Sequence, residues 1–243
     1  MTITLFTQKT MTDIYGGSDP RNIPTYSIGD VARYLRVPAG TIRTWTVGRH
    51  YPTKNGSKFF RPVIEIKNIK PRLLSFTNLI EVHILRAIRK NHKVQLDQVR
   101  IALDYINDRF QVSHPLAHES FRTDGVDLFI ERYGSLLNAS KRGITEMKEA
   151  FNTHLERIEP DDTGLAIKLY PFTRTDEENN PRLVVIDPRI AFGRLVIANT
   201  GIPTRVLAER YQAGDSIDDL AYDYECERFM IEEAIRSELP VAA

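Results

Sequence analysis

TYSIGDVARYLRVPAGTIRTWTVGRHY, residues 25–51, reads as two short helices around a tight turn. Ser27 is placed to cap the first helix, its hydroxyl facing the free amides of the opening turn, with Asp30 three residues on. Val31, Ala32 and Leu35 form an apolar stripe at helical spacing. Val37 fills the turn, and Pro38 suits the first position of a second helix, where no backbone donor is needed. That helix turns Ile42 and Trp45 inward and leaves Thr41, Arg43, Thr44 and, just beyond its end, Arg49 on the other side. Hydroxyls and guanidinium groups presented this way match what the edges of base pairs offer in a major groove.

The next stretch, GRHYPTKNGSKFFRPVIEI over residues 48–66, carries the turn dipeptide Asn55-Gly56. Phe59-Phe60 with Val63, Ile64 and Ile66 flank it as a hairpin would require. Lys54, Lys58 and Arg61 gather at the tip and flank, where a basic wing meets phosphate. Helices are expected over 75–90 and 95–108. With these residues in view, 25–110 resembles the winged-helix DNA-binding domain of MerR-type regulators in its helix-turn-helix, its basic wing and the two helices that follow. The resemblance implies double-stranded DNA as partner. Arg43 and Thr44 then reach base edges with Thr41 and Arg49 beside them, and Lys54, Lys58 and Arg61 hold phosphates. The competing reading is a helical hairpin buried in an ordinary core.

Charge distribution separates the two. The net charge of +1 hides a segregation: residues 21–110 hold 17 basic and 6 acidic side chains, a net +11, whereas residues 111–243 hold 15 and 24, a net −9. The basic third is suited to a polyanion and the acidic remainder is not. At 243 residues and 42% apolar content the chain can bury a sizeable core in one or two domains. No apolar run has the length of a membrane span, and MTITLFTQKT lacks the pattern of a signal peptide. The lone Cys226 leaves no intrachain disulfide and no thiolate metal cluster. A cytoplasmic protein is expected.

Residues 1–24 read as an arm: Gly16-Gly17-Ser18-Asp19-Pro20 is loop composition, and Ile3 and Leu5 alternate like a short strand. Disorder and a crossing to a second subunit both fit. Residues 111–182 read as a small α+β unit that joins the ends or pairs subunits. Asp124-Gly125 there looks like a hairpin turn, Ile144, Met147, Phe151, Leu155 and Ile158 space a helix over 143–159, LAIKLYPF over 165–172 alternates as a strand, and TRTDEENNP is a polar loop.

From residue 183 on, a compact trihelical unit is expected. Pro203 opens a helix through Val206, Leu207 and Tyr211, which Gly214 closes. Ser216 caps a second with Asp219 at the capping-box position and Ile217, Leu220 and Ala221 inward. Phe229, Met230, Ala234 and Ile235 form the core face of a third. Residues 214–239 carry nine acids against Arg228 and Arg236, so phosphate is repelled and a protein partner or a second subunit is the expected contact. Asp187-Pro188-Arg189, Ala191-Phe192-Gly193-Arg194, Thr200, Ile202-Pro203, Ala213-Gly214 and Ser216-Ile217 resemble domain-of-unknown-function family 433, small trihelical domains found beside PIN-like ribonuclease toxins. Leu195 and Asn199-Thr200-Gly201 depart from the usual family run. With the winged helix in front, the order of modules is similar to VapB-type antitoxins with a MerR-like head. That resemblance implies a repressor of its own operon and a PIN-like ribonuclease toxin as partner, and a homodimer is expected because a single recognition helix rarely supplies enough specific contact.

Residue patterns for catalysis are missing: no phosphate-binding P-loop, no GxSxG, no HExxH and no CxxC. His114 and His118 are four apart with Pro115 between and no third ligand in view. Asp161-Asp162 and Asp218-Asp219 sit at a loop and a helix start, where capping accounts for the second pair. The expectation is therefore a protein that is not an enzyme, with no cofactor and no metal. Its fold is α+β and mainly α, built from an N-terminal winged helix-turn-helix, a small α+β middle and a trihelical C-terminal unit. A MerR-like ligand-responsive regulator without a toxin, and a plain interaction scaffold, stand as the alternatives.

Overall fold

A computed structural model describes residues 15–53, 56–67, 71–91, 96–111, 114–177 and 179–239. The chain is mainly α with small antiparallel sheets. Strand β1 (Tyr26–Ser27) leads into helices α1 (Ile28–Leu35) and α2 (Ala39–Val47), then the hairpin of β2 (Arg49–Thr53) and β3 (Gly56–Phe60). Strand β4 (Leu73–Leu74) returns to pair with β1, Tyr26 opposite Leu74, and so closes the head on itself. Helices α3 (Phe76–Asn91) and α4 (Leu96–Phe110) follow, in agreement with the two expected after the wing.

The capping box foreseen at Ser27 is formed. Asp30 N donates to Ser27 Oγ at 3.1 Å, and Ser27 N donates to Asp30 Oδ2 at 3.0 Å. Val31, Leu35, Val37, Ile42 and Trp45 are buried together, so the apolar spacing builds the helix-turn-helix core. Val63, Ile64 and Ile66 do not extend the hairpin, because β3 ends at Phe60. The amides of Val63 and Ile64 donate instead to Trp45 O at 2.8 and 3.0 Å, and Ile64 enters the core. The end of α2 thereby finds donors for a carbonyl that the helix itself leaves unpaired.

Asp124-Gly125 makes no hairpin. Phe121–Gly125 is a π-helical turn that runs straight into α5 (Val126–Leu137). The reason is packing: Phe121, Val126, Phe129, Ile130 and Tyr133 are buried at helical spacing, and Phe121, Phe129 and Phe151 meet edge to face. A Cβ on Gly125 would come within 2.9 Å of the Phe121 ring and 3.3 Å of the Phe110 ring, so this glycine serves close approach. Helix α6 (Lys141–Leu155) starts and stops earlier than expected, with Ser140 as its cap, and Ile158 belongs to strand β5 (Ile158–Pro160).

The expected strand over 165–172 is β6 (Ala166–Leu169). It joins β5, β7 (Val184–Ile186) and β8 (Leu195–Ile197) in a four-stranded antiparallel sheet, and the β6–β7 pair crosses the boundary expected near residue 183. Helices α7 (Thr204–Gln212), α8 (Ile217–Asp223) and α9 (Arg228–Glu238) complete the trihelical unit, with the Ser216–Asp219 capping box in place. Leu220 is fully buried, and Ile217 and Ala221 pack on the core from its edge. Phe229 is not part of the core face of α9: it is 53% exposed, and Ile231, Ala234 and Ile235 fill that role. Glu233 is buried beside them, accepting from Arg174 Nη2 at 2.6 Å and from the Thr173 hydroxyl.

Of the arm, residues 1–14 lie outside the described part, and with them Ile3 and Leu5. The remainder is docked: Tyr15 donates its hydroxyl to Pro188 O at 2.9 Å, and Arg21 pairs with Asp161 at 2.5 Å.

Candidate nucleic-acid interface

Helix α2 owes its exposure to how α1 stops. Arg36 takes a left-handed conformation, φ 52°, which turns the chain sharply and sends Val37 into the core. Pro38 occupies the cap position, one residue before the place expected for it, and has no side-chain cap bond. Intrahelical bonding begins with Thr41 N donating to Pro38 O at 2.8 Å, so the amides of Ala39 and Gly40 sit at the bare positive end of the helix dipole. Pro38, Ala39 and Gly40 are exposed, and a Cβ added at Gly40 meets nothing within 4 Å. A phosphate can approach such an end closely.

Ile42, Trp45 and Thr46 face the core, and Arg43 stands out on the opposite side. Thr41 and Thr44 are half-buried beside it. The Thr44 hydroxyl donates to Gly40 O at 2.9 Å, which leaves its oxygen lone pairs to accept from a base. Gly48 alone joins α2 to the wing. Its φ of +80° and the Phe60 carbonyl 2.3 Å from where a Cβ would sit leave room for no other residue without distortion.

In the wing, Arg49 pairs opposite Phe60 and Lys58 opposite Tyr51. Arg49, Lys58 and Arg61 are all exposed. Lys54 and Asn55 lie outside the described residues, so the tip itself is not placed. Two wing features escaped the sequence reading. His50 and Phe59 are cross-strand neighbours with ring centroids 4.9 Å apart, and Phe59 is 49% exposed. Arg100 of α4 donates to the carbonyls of Arg61 and Pro62 and lies over the Phe60 ring, 4.9 Å from its centroid. Its charge is spent bracing the wing. Only the strand register puts His50 against Phe59, and only the fold puts Arg100 behind the wing, so local spacing had no signal for either.

Behind this face a cavity of about 620 Å³ is lined by Arg61, Glu65, Glu81, Arg100, Asp104 and His114, among others. Glu81 is buried there and receives Asn78 Nδ2 at 3.0 Å. His114 Nδ1 lies 3.1 Å from the same carboxylate, and that bond raises the His114 pKa above the ordinary histidine value. His118 turns instead to Ser120, so the two histidines do not converge on one ion. Among the described residues no group of three His, Cys, Asp or Glu is placed to hold a metal.

Residues 24–103 match a family model described as a putative DNA-binding HTH domain. The N-terminal third is a helix-turn-helix domain of the DNA-binding kind. Residues 184–236 match DUF433, a family of proteins of unknown function. Over longer stretches the chain is similar to a Mycobacterium tuberculosis protein named "Putative antitoxin VapB45", 26% identical over 220 residues, covering 84% of this chain and 89% of that protein. It is also similar to uncharacterized protein Rv2308 of the same organism, 24% identical over 223 residues, with 86% and 88% covered. The crystal structure of Rv2018 from M. tuberculosis shares the fold, with a TM-score of 0.61 and 22% identity over 88% of this chain and 98% of that one. No helix among the described residues is long and apolar enough to cross a membrane.

Proposed function

We propose that this chain is the DNA-binding antitoxin of a type II toxin–antitoxin pair, which represses its own operon and neutralises a PIN-like ribonuclease toxin. The observation that carries the reading is the exposed face formed by α2 and the wing, basic and free of carboxylates, on a chain whose other half is acidic. Similarity to VapB45 across 84% of the chain supports the antitoxin role. Arg43 and Thr44 read base edges with Thr41 and Arg49 beside them, while Lys54, Lys58 and Arg61 hold phosphates and set orientation. A single recognition helix offers few specific contacts, so the protein acts as a homodimer on paired half-sites. The toxin meets the acidic C-terminal unit, and the chain itself performs no chemistry.

Two measurements test this. Purified chain titrated with the DNA upstream of its own gene, across a salt series, binds that DNA in preference to scrambled DNA, with a steep salt slope. Co-expression with the nuclease encoded beside it yields a complex in which ribonuclease activity is lost. A nuclease that stays fully active with the chain in stoichiometric excess overturns the antitoxin role.

The cavity behind the wing supports a second reading, a ligand-responsive regulator of MerR type without a toxin partner. A small molecule with both charge signs, seated between Arg100 and Glu81, would loosen the brace on the wing. Operator affinity that changes on addition of such a molecule, in a chain that leaves the neighbouring nuclease unaffected, would select it.

A further inference from the structure

We infer that the groove between α8 and α9 is the docking site for a basic segment of a partner protein, one that inserts an aliphatic side chain flanked by lysines or arginines. This rests on the antitoxin reading, and the occupant is a segment of the toxin. The groove measures about 770 Å³ and is formed by the end of α8 (Ala221, Tyr222, Asp223), the turn into α9 (Glu225, Cys226, Glu227), Met230 and Thr200.

Its floor and its rim differ in chemistry. Ala221, Cys226 and Met230 pack against the core from the edge, which makes the floor apolar, and the methionine and thiol are soft enough to adapt to an inserted side chain. Tyr222 stands 86% exposed at the border, and Phe229, next to Met230 on the first turn of α9, is 53% exposed. Large aromatics left in water beside a concave apolar floor are what a binding surface requires and what a free surface avoids. The rim carries three carboxylates, Asp223, Glu225 and Glu227, and among the described residues no lysine or arginine lines the groove.

The nearby guanidinium groups are already engaged, Arg210 in part with the rim's own Asp223. Arg210 is held by Asp215 and Asp223, each at 2.6 Å, and Arg228 by Asp218 and Glu232. Glu225 and Glu227 therefore present net negative charge to whatever enters. DNA is excluded by that charge, and an acidic or neutral peptide gains nothing from it. A basic segment gains twice: from the carboxylates at the rim and from burying its apolar anchor on the floor.

The test uses the full chain and the purified ribonuclease encoded beside it. The variants are the charge reversal Glu225→Lys/Glu227→Lys and the aromatic truncation Tyr222→Ser/Phe229→Ser, all at exposed positions. Each is expected to weaken the complex at least tenfold, and the charge reversal also to flatten the salt dependence of binding. Thermal melting and affinity for upstream DNA stay as in the parent chain, which shows that the fold is retained. Toxin binding within twofold of the parent in both variants overturns the groove while leaving the antitoxin role intact. A parent chain that binds no toxin removes the antitoxin role and the occupant with it. Sedimentation that shows the variants losing self-association, with toxin binding unchanged, overturns the inference in favour of a second copy.

Discussion

At the scale of single residues, the proposed interface of α2 and the wing divides into groups expected to read and groups expected to hold. Arg43 stands on the exposed face of α2, so on the proposed function Arg43→Ala is expected to cost about 1–3 kcal/mol on the true operator and to relax sequence preference. Lys58 is exposed on β3 of the wing and is proposed to hold phosphate, so Lys58→Ala is expected to weaken every DNA alike and to reduce the salt slope by about one. Titration of both variants against operator and scrambled DNA checks the division, and a sequence-selective loss at Lys58 reverses it. A buried histidine and a half-buried one give the fold opposite responses to pH. Burial holds His83 well below the ordinary histidine value, with the neighbouring His154 as the next cause. Folding then favours its neutral form, and stability falls as pH drops below about 6.5. The Glu81 bond raises the pKa of His114, so its contribution is full below about 6.5 and is lost as pH climbs through the raised value. His114→Asn should flatten the loss of melting temperature as pH rises above about 6.5 and leave the acid side alone. An unchanged limb there would show that the pair adds nothing to stability.

Among the elements, those built from local signals were legible and those built from distant ones were not. Ser27, Asp30, Val31, Leu35, Ile42 and Trp45 all act within one or two helical turns, so the helix-turn-helix could be read from spacing and caps alone. Ser27→Ala is accordingly expected to cost about 1 kcal/mol by removing the cap of α1, measured by denaturant unfolding. Asp124-Gly125 misled because the same dipeptide serves a turn or a helix, and here three phenylalanine rings decide for the helix. Phe229 misled because helical spacing marks an apolar residue without saying whether the core or a groove takes it. The sheet of β5 to β8 escaped because each strand is only three or four residues long, too short for alternation to mark most of them. The wing is intermediate. Its turn signal was clear, yet its rigidity comes from Arg100, 39 residues beyond Arg61. Arg100→Met keeps much of the stem and removes the donors to the Arg61 and Pro62 carbonyls. Faster amide exchange in β2 and β3 is expected, with weaker binding to all DNA. Unaltered exchange would mean that the strand ladder holds the wing by itself.

The whole molecule is more unified than its modules suggest, and this unity had no local signature. Tyr26, at the entry to the helix-turn-helix, donates its hydroxyl to Gly193 O at 3.0 Å, and burial pushes its pKa strongly upward. Arg33 of α1 pairs at 2.9 Å with Glu238, the last residue of α9 and nearly buried, which also accepts from Thr204 at 2.5 Å. The helix-turn-helix head is therefore locked to the acidic tail by a hydrogen bond and an ion pair that span most of the sequence. On the proposed function, a toxin bound to the tail would have a direct mechanical route to the head. Gly193 is the position that exposes this lock. A Cβ there would lie 2.2 Å from the Tyr26 hydroxyl, on a backbone with φ of +75°. Gly193→Ala must push the tyrosine off its acceptor and is expected to destabilise by about 1–3 kcal/mol. Tyr26→Phe removes the hydrogen bond without the clash and should cost only about 1 kcal/mol. If the lock couples the halves, scanning calorimetry of Gly193→Ala will show the single transition broadening or splitting, with the head melting first, whereas Tyr26→Phe will shift one transition by a few degrees. A Gly193→Ala chain that melts in one sharp step would place the coupling in the shared core instead, because the buried cluster runs without a break from Tyr26 to Ile235.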